Sequence, residues 1–505
     1  MKPAVVFAAA VALYLPTVRY GFVQDDRAIV ANNPAAHSVG TALRAFDEPY
    51  WPRGSGAGLY RPLTILSFAV DWALSGGRPG WIHVMNAFWH GLATVLFGLV
   101  IARWLPPPGV LAAALIFAWH PVHAEAVAGL VGRAELLAAA GILGSVLAAR
   151  RGWWLGAVVL AGLAMLSKEH GVIAGVAILL DRWLDSPQEN RRPYPVGLWI
   201  GLAVVTAAFL ALWMSIGREG ASDVAPVFLE RGTGGRLAIA LPAVLRAATL
   251  LVWPVSLSAD YGPQVIPARD GSSFPALLGA MLVVTVPIVV IVARRRAPAI
   301  AFAAAVAALA YLPTANLLFP SGVVLAERNL YLAVMVPAVL MGLAIMTAAA
   351  RRNAVALAAL AILGCGIRTL DRLPAWRDNR THLLVLLADY PESARGHASA
   401  AAVFAGMGDQ AAARREYEIA DSLFAGDPFV TAGHAILLLG AGDTAAAAPL
   451  LVRLRAAPQQ AQVMTRRVEF LTSLTRSDTV GARAIAADAV RVAPAEEPWY
   501  RQYLQ

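Results

Sequence analysis

Ala4–Val18, a run without a single charge, is followed across Arg19 by Tyr20-Gly21-Phe22-Val23-Gln24-Asp25-Asp26-Arg27-Ala28-Ile29-Val30-Ala31-Asn32-Asn33-Pro34. A chain that leaves an apolar helix and at once presents two adjacent carboxylates sets them at a membrane surface. There such a pair can deprotonate a hydroxyl, bind a metal ion or cap the helix that follows. These residues alone leave all three uses open.

Of the 505 residues, 58% are hydrophobic and 14% charged, and the mean hydropathy is +0.61. That balance requires a bilayer as solvent for much of the chain. Spanning helices need about 20 mostly apolar residues. Eleven runs, several of them short, answer to that: Ala4–Val18, Trp81–Arg103, Val110–Val127, Ala134–Ala149, Trp153–Leu166, Val172–Trp183, Val196–Ile216, Phe274–Ala293, Ala299–Leu312, Tyr331–Ala349 and Ala354–Ile367. The formal charge of +9 does not point to nucleic acid, because arginines cluster at the ends of these runs, as in Arg150-Arg151, Arg191-Arg192, Arg294-Arg295-Arg296 and Arg351-Arg352. They read as cytoplasmic anchors. The N-terminus is then cytoplasmic, as a retained first helix, and an odd number of spans leaves the C-terminus outside. The lone cysteine, Cys365, excludes an intramolecular disulfide.

Leu63–Leu74 and Leu237–Leu257 are apolar enough to suggest further spans. Spanning at Leu237–Leu257 would carry the arginines from Arg294 to the outer side. Arg246 interrupts that run and Pro242 and Pro254 flank it, which favours a helix lying in the interface. From Trp376 onward the chain turns soluble and alanine-rich, with turns at Gly408-Asp409, Gly442-Asp443 and Ser477-Asp478 recurring every 34 to 35 residues. The tetratricopeptide period is about 34. Phe404, Ala413, Tyr417 and Ala420 fall where that repeat packs its helices, and Pro458 and Pro494 end the second and third pairs. The fold expected is all-α: a polytopic membrane bundle over 1–375, with 19–80 as its first external loop, and a helical-repeat solenoid over 376–505.

The outer face collects the remaining chemistry. Tyr60-Arg61-Pro62-Leu63-Thr64 supplies a phenol and a guanidinium able to grip phosphate, although a single interfacial arginine is usually an anchor. His120-Pro121-Val122-His123-Ala124-Glu125, with Gly132-Arg133-Ala134-Glu135 after it, either ligates a metal or lines a polar cavity. Ser167-Lys168-Glu169-His170-Gly171 must face water or pair internally, because charge at membrane depth costs several kcal/mol. Ala326-Glu327-Arg328-Asn329-Leu330-Tyr331 is similar, and Glu327 would also favour a helix N-terminus. Acids, bases and phosphate-pairing cations gathered on one face suit a reaction site better than a scaffold. A transporter would string them across the bilayer.

Taken in order, Phe22-Val-Gln-Asp-Asp26, Tyr60-Arg-Pro-Leu-Thr64, Phe117-Ala-Trp-His-Pro-Val-His-Ala-Glu-Ala126, Val131-Gly-Arg-Ala134, Leu166-Ser-Lys-Glu169, Ala326-Glu-Arg328 and Trp376-Arg-Asp-Asn379 resemble the motifs of the transmembrane and tetratricopeptide-repeat-containing O-mannosyltransferases, within the GT-C glycosyltransferases. The resemblance implies a GT-C bundle of about eleven helices and inverting transfer of a hexose, typically mannose, from a polyprenyl phosphate to a hydroxyl, often Ser or Thr of a protein. It implies a bacterial inner membrane with the repeats in the periplasm. Asp25 would then be the base and Asp26 its partner. Arg61, Lys168, His170 and Arg328 would stabilise the donor phosphate, while Tyr60, His120, His123, Glu125, Arg133 and Glu169 would shape the sugar or acceptor pocket. No cofactor is called for, and a divalent metal stays open. The partners implied are the lipid-linked donor, a protein or peptide acceptor and the bilayer, without nucleic acid. The short repeat array departs from the family and leaves two rivals: a lipid or surface-glycan acceptor, and a non-catalytic scaffold that recruits partners. The repeats are expected to dock the acceptor while the chemistry stays in the bundle.

Overall fold

Proline at the first helical position opens many of the helices, where its missing N–H costs nothing and its fixed φ suits the turn. A computed structural model describes residues 2–504 apart from 52–57, 185–192, 218–223, 230, 268–272, 348–350, 458–461 and 493–495. Among the described residues every regular element is helical. In order these are α1 (Pro3–Tyr14), α2 (Val39–Ala42), α3 (Pro62–Ser75), α4 (Pro79–Ile101), α5 (Pro107–Trp119), α6 (His123–Ala128), α7 (Arg133–Arg150), α8 (Trp154–Ser167), α9 (Ala174–Trp183), α10 (Val196–Ser215), α11 (Thr233–Val252), α12 (Phe274–Ala293), α13 (Pro298–Tyr311), α14 (Met335–Thr347) and α15 (Arg351–Arg372). The C-terminal part holds α16 (Asn379–Asp389), α17 (Ala394–Gly406), α18 (Gln410–Leu423), α19 (Pro428–Gly440), α20 (Thr444–Arg455), α21 (Gln462–Thr475), α22 (Thr479–Val492) and α23 (Glu497–Leu504).

The chain is a multi-pass membrane protein. Among the described residues, α4, α7 with its lead-in turn, α10, α11 and α12 are long and apolar enough to cross a bilayer, and shorter apolar helices stand among them. Residues Arg133 to Ala149 of α7 are all buried, so this helix is the bundle's axis, packed on α4 and α8. By contrast α10 and α12 expose long apolar faces, including Ile200, Val204, Met281, Val284 and Ile288, which suits contact with lipid.

Several expected runs are divided differently. Val110–Val127 is not one span: Pro121 disfavours helix at the residue before it, so α5 stops at Trp119, His120 is extended (φ −69°, ψ 127°) and α6 restarts as a short buried helix. Residues 327–334 are two 3-10 turns before α14, and Ala354–Ile367 lies inside the longer α15. Arg191-Arg192, Pro458 and Pro494 lie outside the described residues. The run Leu63–Leu74 becomes α3, whose Ile65, Phe68 and Ala69 pack on Ile29, Val30 and Ala36 of the loop that carries Asp25.

Long enough to span, α11 nevertheless meets the Asp25 face at both ends. Arg236 Nη2 donates to the Leu317 carbonyl (3.2 Å) near its start. Near its end a ring nitrogen of His120 meets the Leu251 carbonyl (3.1 Å), and Arg246 Nη2 donates to Ser256 O (2.7 Å) and Tyr390 Oη (2.6 Å). On α12 only Ala276 and Gly279 are buried, and a Cβ at Gly279 would strike the Leu241 backbone. Thus α12 crosses α11 at its own first turns.

At the heart of the bundle the buried Arg133 guanidinium pairs with Asp71 of α3, donates to Asn86 Oδ1 (2.7 Å) and the Ile82 carbonyl (2.8 Å) of α4, and covers the Phe68 ring at 4.6 Å. At the opposite end, Arg150 donates to Asp181 (2.5 and 3.0 Å) and joins α7 to α9. The C-terminal helices α17/α18, α19/α20 and α21/α22 pack in successive pairs. Asp378, Ser393, Asp409, Asp427 and Asp443 each accept a backbone N–H at a helix start.

Two outcomes follow. Reporter fusions after Arg231 and after Ser258 should report the same compartment, opposite to fusions after Arg151 and Arg296; different compartments at Arg231 and Ser258 would make α11 a span. Arg133→Leu should lower stability by about 3–5 kcal/mol, because it strands a buried Asp71 without its cation, and a thermal melt in detergent measures the loss.

Candidate active site

The geometry around the acid pair begins with a backbone constraint. After α1 the chain tightens into a 3-10 turn (Leu15–Arg19) and reaches Gln24 in the left-handed region at φ +52°. Asp26 then turns inward. Its Oδ2 accepts from Val23 N (3.1 Å) and its Oδ1 from Val131 N (2.9 Å), and the side chain is 1% exposed. Burial pushes its carboxyl up to about 7, against the pull of those backbone donors. Asp25 points the other way and is part-exposed; among the described residues its carboxylate has no hydrogen-bond or ion-pair partner.

Asp25 lies at the junction of two cavities, sharing that position with Trp51, Val131 and Arg328. The larger, about 830 Å3, is lined by Tyr50, Arg61, Glu135, Lys168, Glu169, His170 and Asn329, with an apolar wall from Phe209, Leu210 and Trp213 of α10. The smaller, about 650 Å3, is lined by Glu125, Asp260, Tyr261, Trp376 and His382, and by Ser399, Tyr417 and Phe429 from the C-terminal helices.

All four residues expected to meet phosphate line the larger cavity, and three of them arrive as charged pairs. Arg61 donates three hydrogen bonds to Glu169 (2.8 to 3.1 Å) and lies 5.0 Å from the Tyr50 ring centre. Lys168 bonds Glu135 and reaches Asn329 Oδ1 at 3.1 Å. Arg328 bonds Glu125 through its guanidinium, and its backbone N donates to the same carboxylate at 2.9 Å. Burial pushes the Glu169 carboxyl up, but Arg61 outweighs it and holds Glu169 below the ordinary value. Burial pushes His170 down to about 4, so it is neutral near pH 7. Its Nε2 lies 3.6 Å from Glu135, too far for a hydrogen bond.

Four expected pocket residues are not brought to either cavity. Tyr60 is buried and donates to the Phe46 carbonyl (3.0 Å). His120 is turned onto the Leu251 carbonyl, and His123 onto that of Tyr331 (3.0 Å), among Phe117 and His90. Arg133 is spent on the helix network. No group of three or more metal-ligating side chains forms among the described residues, and Glu125, the acid nearest those histidines in sequence, is engaged by Arg328. His120, His123 and Glu125 are therefore not arranged as a shared set of metal ligands.

Asn329, Tyr50, Tyr261, Trp376 and His382 are cavity residues that sequence reasoning gave no role, and Glu135 was read only as part of a stretch that ligates a metal or lines a cavity. Glu135 carried a further signal: an acid buried in a largely apolar helix needs a cation, and Lys168 at the end of the next helix supplies it. Behind Arg328, Glu327 is buried and accepts from Tyr261 Oη (2.7 Å) and Ser258 N (2.6 Å); burial raises its carboxyl to about 7.

No family model matches the chain. Among curated proteins it is similar to Protein O-mannosyl-transferase Tmtc2 of Drosophila melanogaster, 35% identical over 284 residues, which is 51% of this chain and 30% of that protein. It is 41% identical over 180 residues to Protein O-mannosyl-transferase Tmtc1 of the same fly, 33% of this chain and 21% of that protein. With Protein O-mannosyl-transferase TMTC3 of Homo sapiens the identity is 26% over 369 residues, 63% of this chain and 40% of that protein. The chain thus spans less than half the length of these relatives. The crystal structure of ArnT from Cupriavidus metallidurans bound to undecaprenyl phosphate aligns over 97% of this chain and 79% of that one, at 13% identity and a TM-score of 0.39.

Asp26 and Glu327 make stability depend on pH with a definite sign. Each carboxyl is raised in the folded chain, so its contribution is full below the unfolded pKa near 4 and is lost as pH rises through about 7. The melting temperature should fall across that window, and Asp26→Asn with Glu327→Gln should flatten the fall; an unchanged slope in the double variant would show that other groups carry it.

Proposed function

We propose that this chain, a relative of the transmembrane and tetratricopeptide-repeat-containing O-mannosyltransferases of the GT-C superfamily, is an inverting membrane glycosyltransferase that moves a hexose, mannose by its kinship, from a polyprenyl phosphate to a Ser or Thr hydroxyl of a protein. The observation that carries the reading is Asp25, unpartnered where two cavities meet, one rich in cations beside an apolar wall and the other walled by the C-terminal helices. A donor suits the first: its polyprenyl chain lies along Phe209, Leu210 and Trp213, and its phosphate among Arg61, Lys168 and Arg328. Tyr50 Oη and His170 Nε2 are buried there without partners, which is uncommon for buried polar atoms, and sugar hydroxyls or phosphate oxygens would satisfy them. His170 then serves as a neutral donor, not as a cation.

Asp25 takes the proton of the acceptor hydroxyl as its oxygen bonds to the sugar C1 from the side opposite the phosphate. The bond from C1 to the phosphate oxygen breaks, and polyprenyl phosphate leaves with the electron pair and one more negative charge. Arg61, Lys168 and Arg328 are fixed before that charge appears, the arrangement that stabilises a transition state most. Asp26 holds Asp25 in place, and Glu125, Glu135 and Glu169 hold the cations. The acceptor enters the smaller cavity, where the buried Trp376 Nε1 has no partner. The paired C-terminal helices, at a repeat near 34 residues, are read as tetratricopeptide repeats, with the N-terminus cytoplasmic and the repeats outside a bacterial inner membrane.

Asp25→Asn should reduce transfer from polyprenyl-phosphate mannose by about 10²–10⁴-fold while the melting temperature holds. A rate near wild type would remove Asp25 as the base. In cells, mass spectrometry of envelope proteins from a deletion strain should show hexose missing from defined Ser or Thr sites; unchanged protein glycans with an altered lipid or surface glycan would move the acceptor to that class.

A further inference from the structure

We infer that Asn379, at the start of the first C-terminal helix, is a positioning residue for Asp25, an inference that rests on the reading of Asp25 as the base. The residue before Asp25 is the weak point of the acid loop. Gln24 is not glycine, yet it holds φ at +52°, a conformation that costs such residues about 1–2 kcal/mol. Something must hold it there.

The Gln24 N–H donates to Asn379 Oδ1 at 2.8 Å, across 355 residues of chain. Three residues earlier, the Gly21 N–H donates to the Arg377 carbonyl at 2.9 Å. On the other side of Asp25, the Asp26 carboxylate accepts from Val23 and Val131. Asp25 therefore sits between an anchor from the bundle and an anchor from the C-terminal helices. The Asn379 bond is the side-chain contact from the second anchor, and it falls on the backbone N–H of the residue before Asp25.

Asn379 is itself held independently of this bond. Asp378 caps α16 by accepting from Thr381 N (2.8 Å), and a ring nitrogen of His382 meets the Ala375 carbonyl (3.0 Å). Removing the Asn379 oxygen leaves both contacts and the helix start intact. It frees Gln24 to relax toward right-handed backbone and swings the next residue, Asp25, off its line to the acceptor. Misplacement on that scale costs rate and not affinity, since the groups that bind donor are elsewhere. The C-terminal helices are then part of the catalytic machinery and not only a docking surface.

Asn379→Leu and Asn379→Asp separate this role from folding, because Asp keeps an acceptor oxygen and is favoured at a helix start. Both variants of the full chain in nanodiscs are compared with wild type by hydrogen exchange over residues 20–27 and by transfer from polyprenyl-phosphate mannose to a Ser/Thr peptide. Asn379→Leu should speed exchange in that segment and lower kcat about tenfold or more, with KM for the donor held within about twofold; Asn379→Asp should restore both. Unchanged exchange in Asn379→Leu, or faster exchange at wild-type kcat, overturns the positioning role while transfer by wild type leaves the proposed function standing. A wild-type chain that transfers nothing overturns the reading of Asp25 as base and the positioning role with it.

Discussion

The face that carries Asp25 depends on one buried carboxylate. An ionisable group with almost no exposure is tolerated only where donors meet it, and Asp26 takes one backbone N–H from its own turn and one from Val131. Val131 precedes by two residues the arginine that ties α3, α4 and α7 together, so the loop that carries Asp25 is fastened to that network. Gly132 lets α6 pack tightly under the turn that leads into α7, since a Cβ there would collide with the Ala126 backbone. Two identical neighbours thereby acquire different fates: Asp26 is buried and bonded, Asp25 half-exposed and unpaired.

The cation pairs around Asp25 answer a second problem. Three cations facing one cavity would repel one another, yet Glu169, Glu135 and Glu125 neutralise Arg61, Lys168 and Arg328 one for one, and Asp25 adds a further negative charge. The resting cavity carries no excess of positive charge with which to trap any passing anion. In the proposed reaction the donor phosphate bears one negative charge and the departing phosphate a second. Interactions that strengthen only as the second charge forms lower the barrier without tightening the ground state.

Much of this arrangement was legible in the sequence, for a physical reason: charged residues between apolar runs can persist only at a wet, shared surface, so Asp25, Arg61, Lys168, Glu169, His170 and Arg328 declared themselves by position. The same reasoning overreached at His120, His123, Tyr60 and Arg133. A polar side chain inside a helical bundle can be satisfied by a carbonyl several helices away, and spacing in sequence carries no record of that carbonyl. His123 and the Tyr331 carbonyl lie 208 residues apart. Tyr261 was missed because an isolated aromatic in a loop has no periodicity to read, and His382 because a single histidine within a helix such as α16 carries no partner signal in the sequence. For α11, apolarity and length argued for a span, while Arg246 and the arginines after α12 argued against one; length and composition keep it among the candidate spans, and its two ends bond to Leu317 and to Ser256 and Tyr390.

The shortness of α8 bears on the membrane itself. With 14 residues it is about 21 Å long at 1.5 Å per residue, against a hydrocarbon thickness of about 30 Å. Its end delivers Lys168, Glu169 and His170, and α9 returns after one 3-10 turn, tightly enough that a Cβ at Gly171 would meet the Ala164 backbone. For a bilayer whose far surface lies at the Arg150 end of α7, the floor of the larger cavity is a well sunk below the near surface. A lipid phosphate would reach it by sinking below the plane of its neighbours, and the bilayer would have to dimple to keep water over the charges. In such a bilayer a thin leaflet matches the well, and a thick one must bend to it.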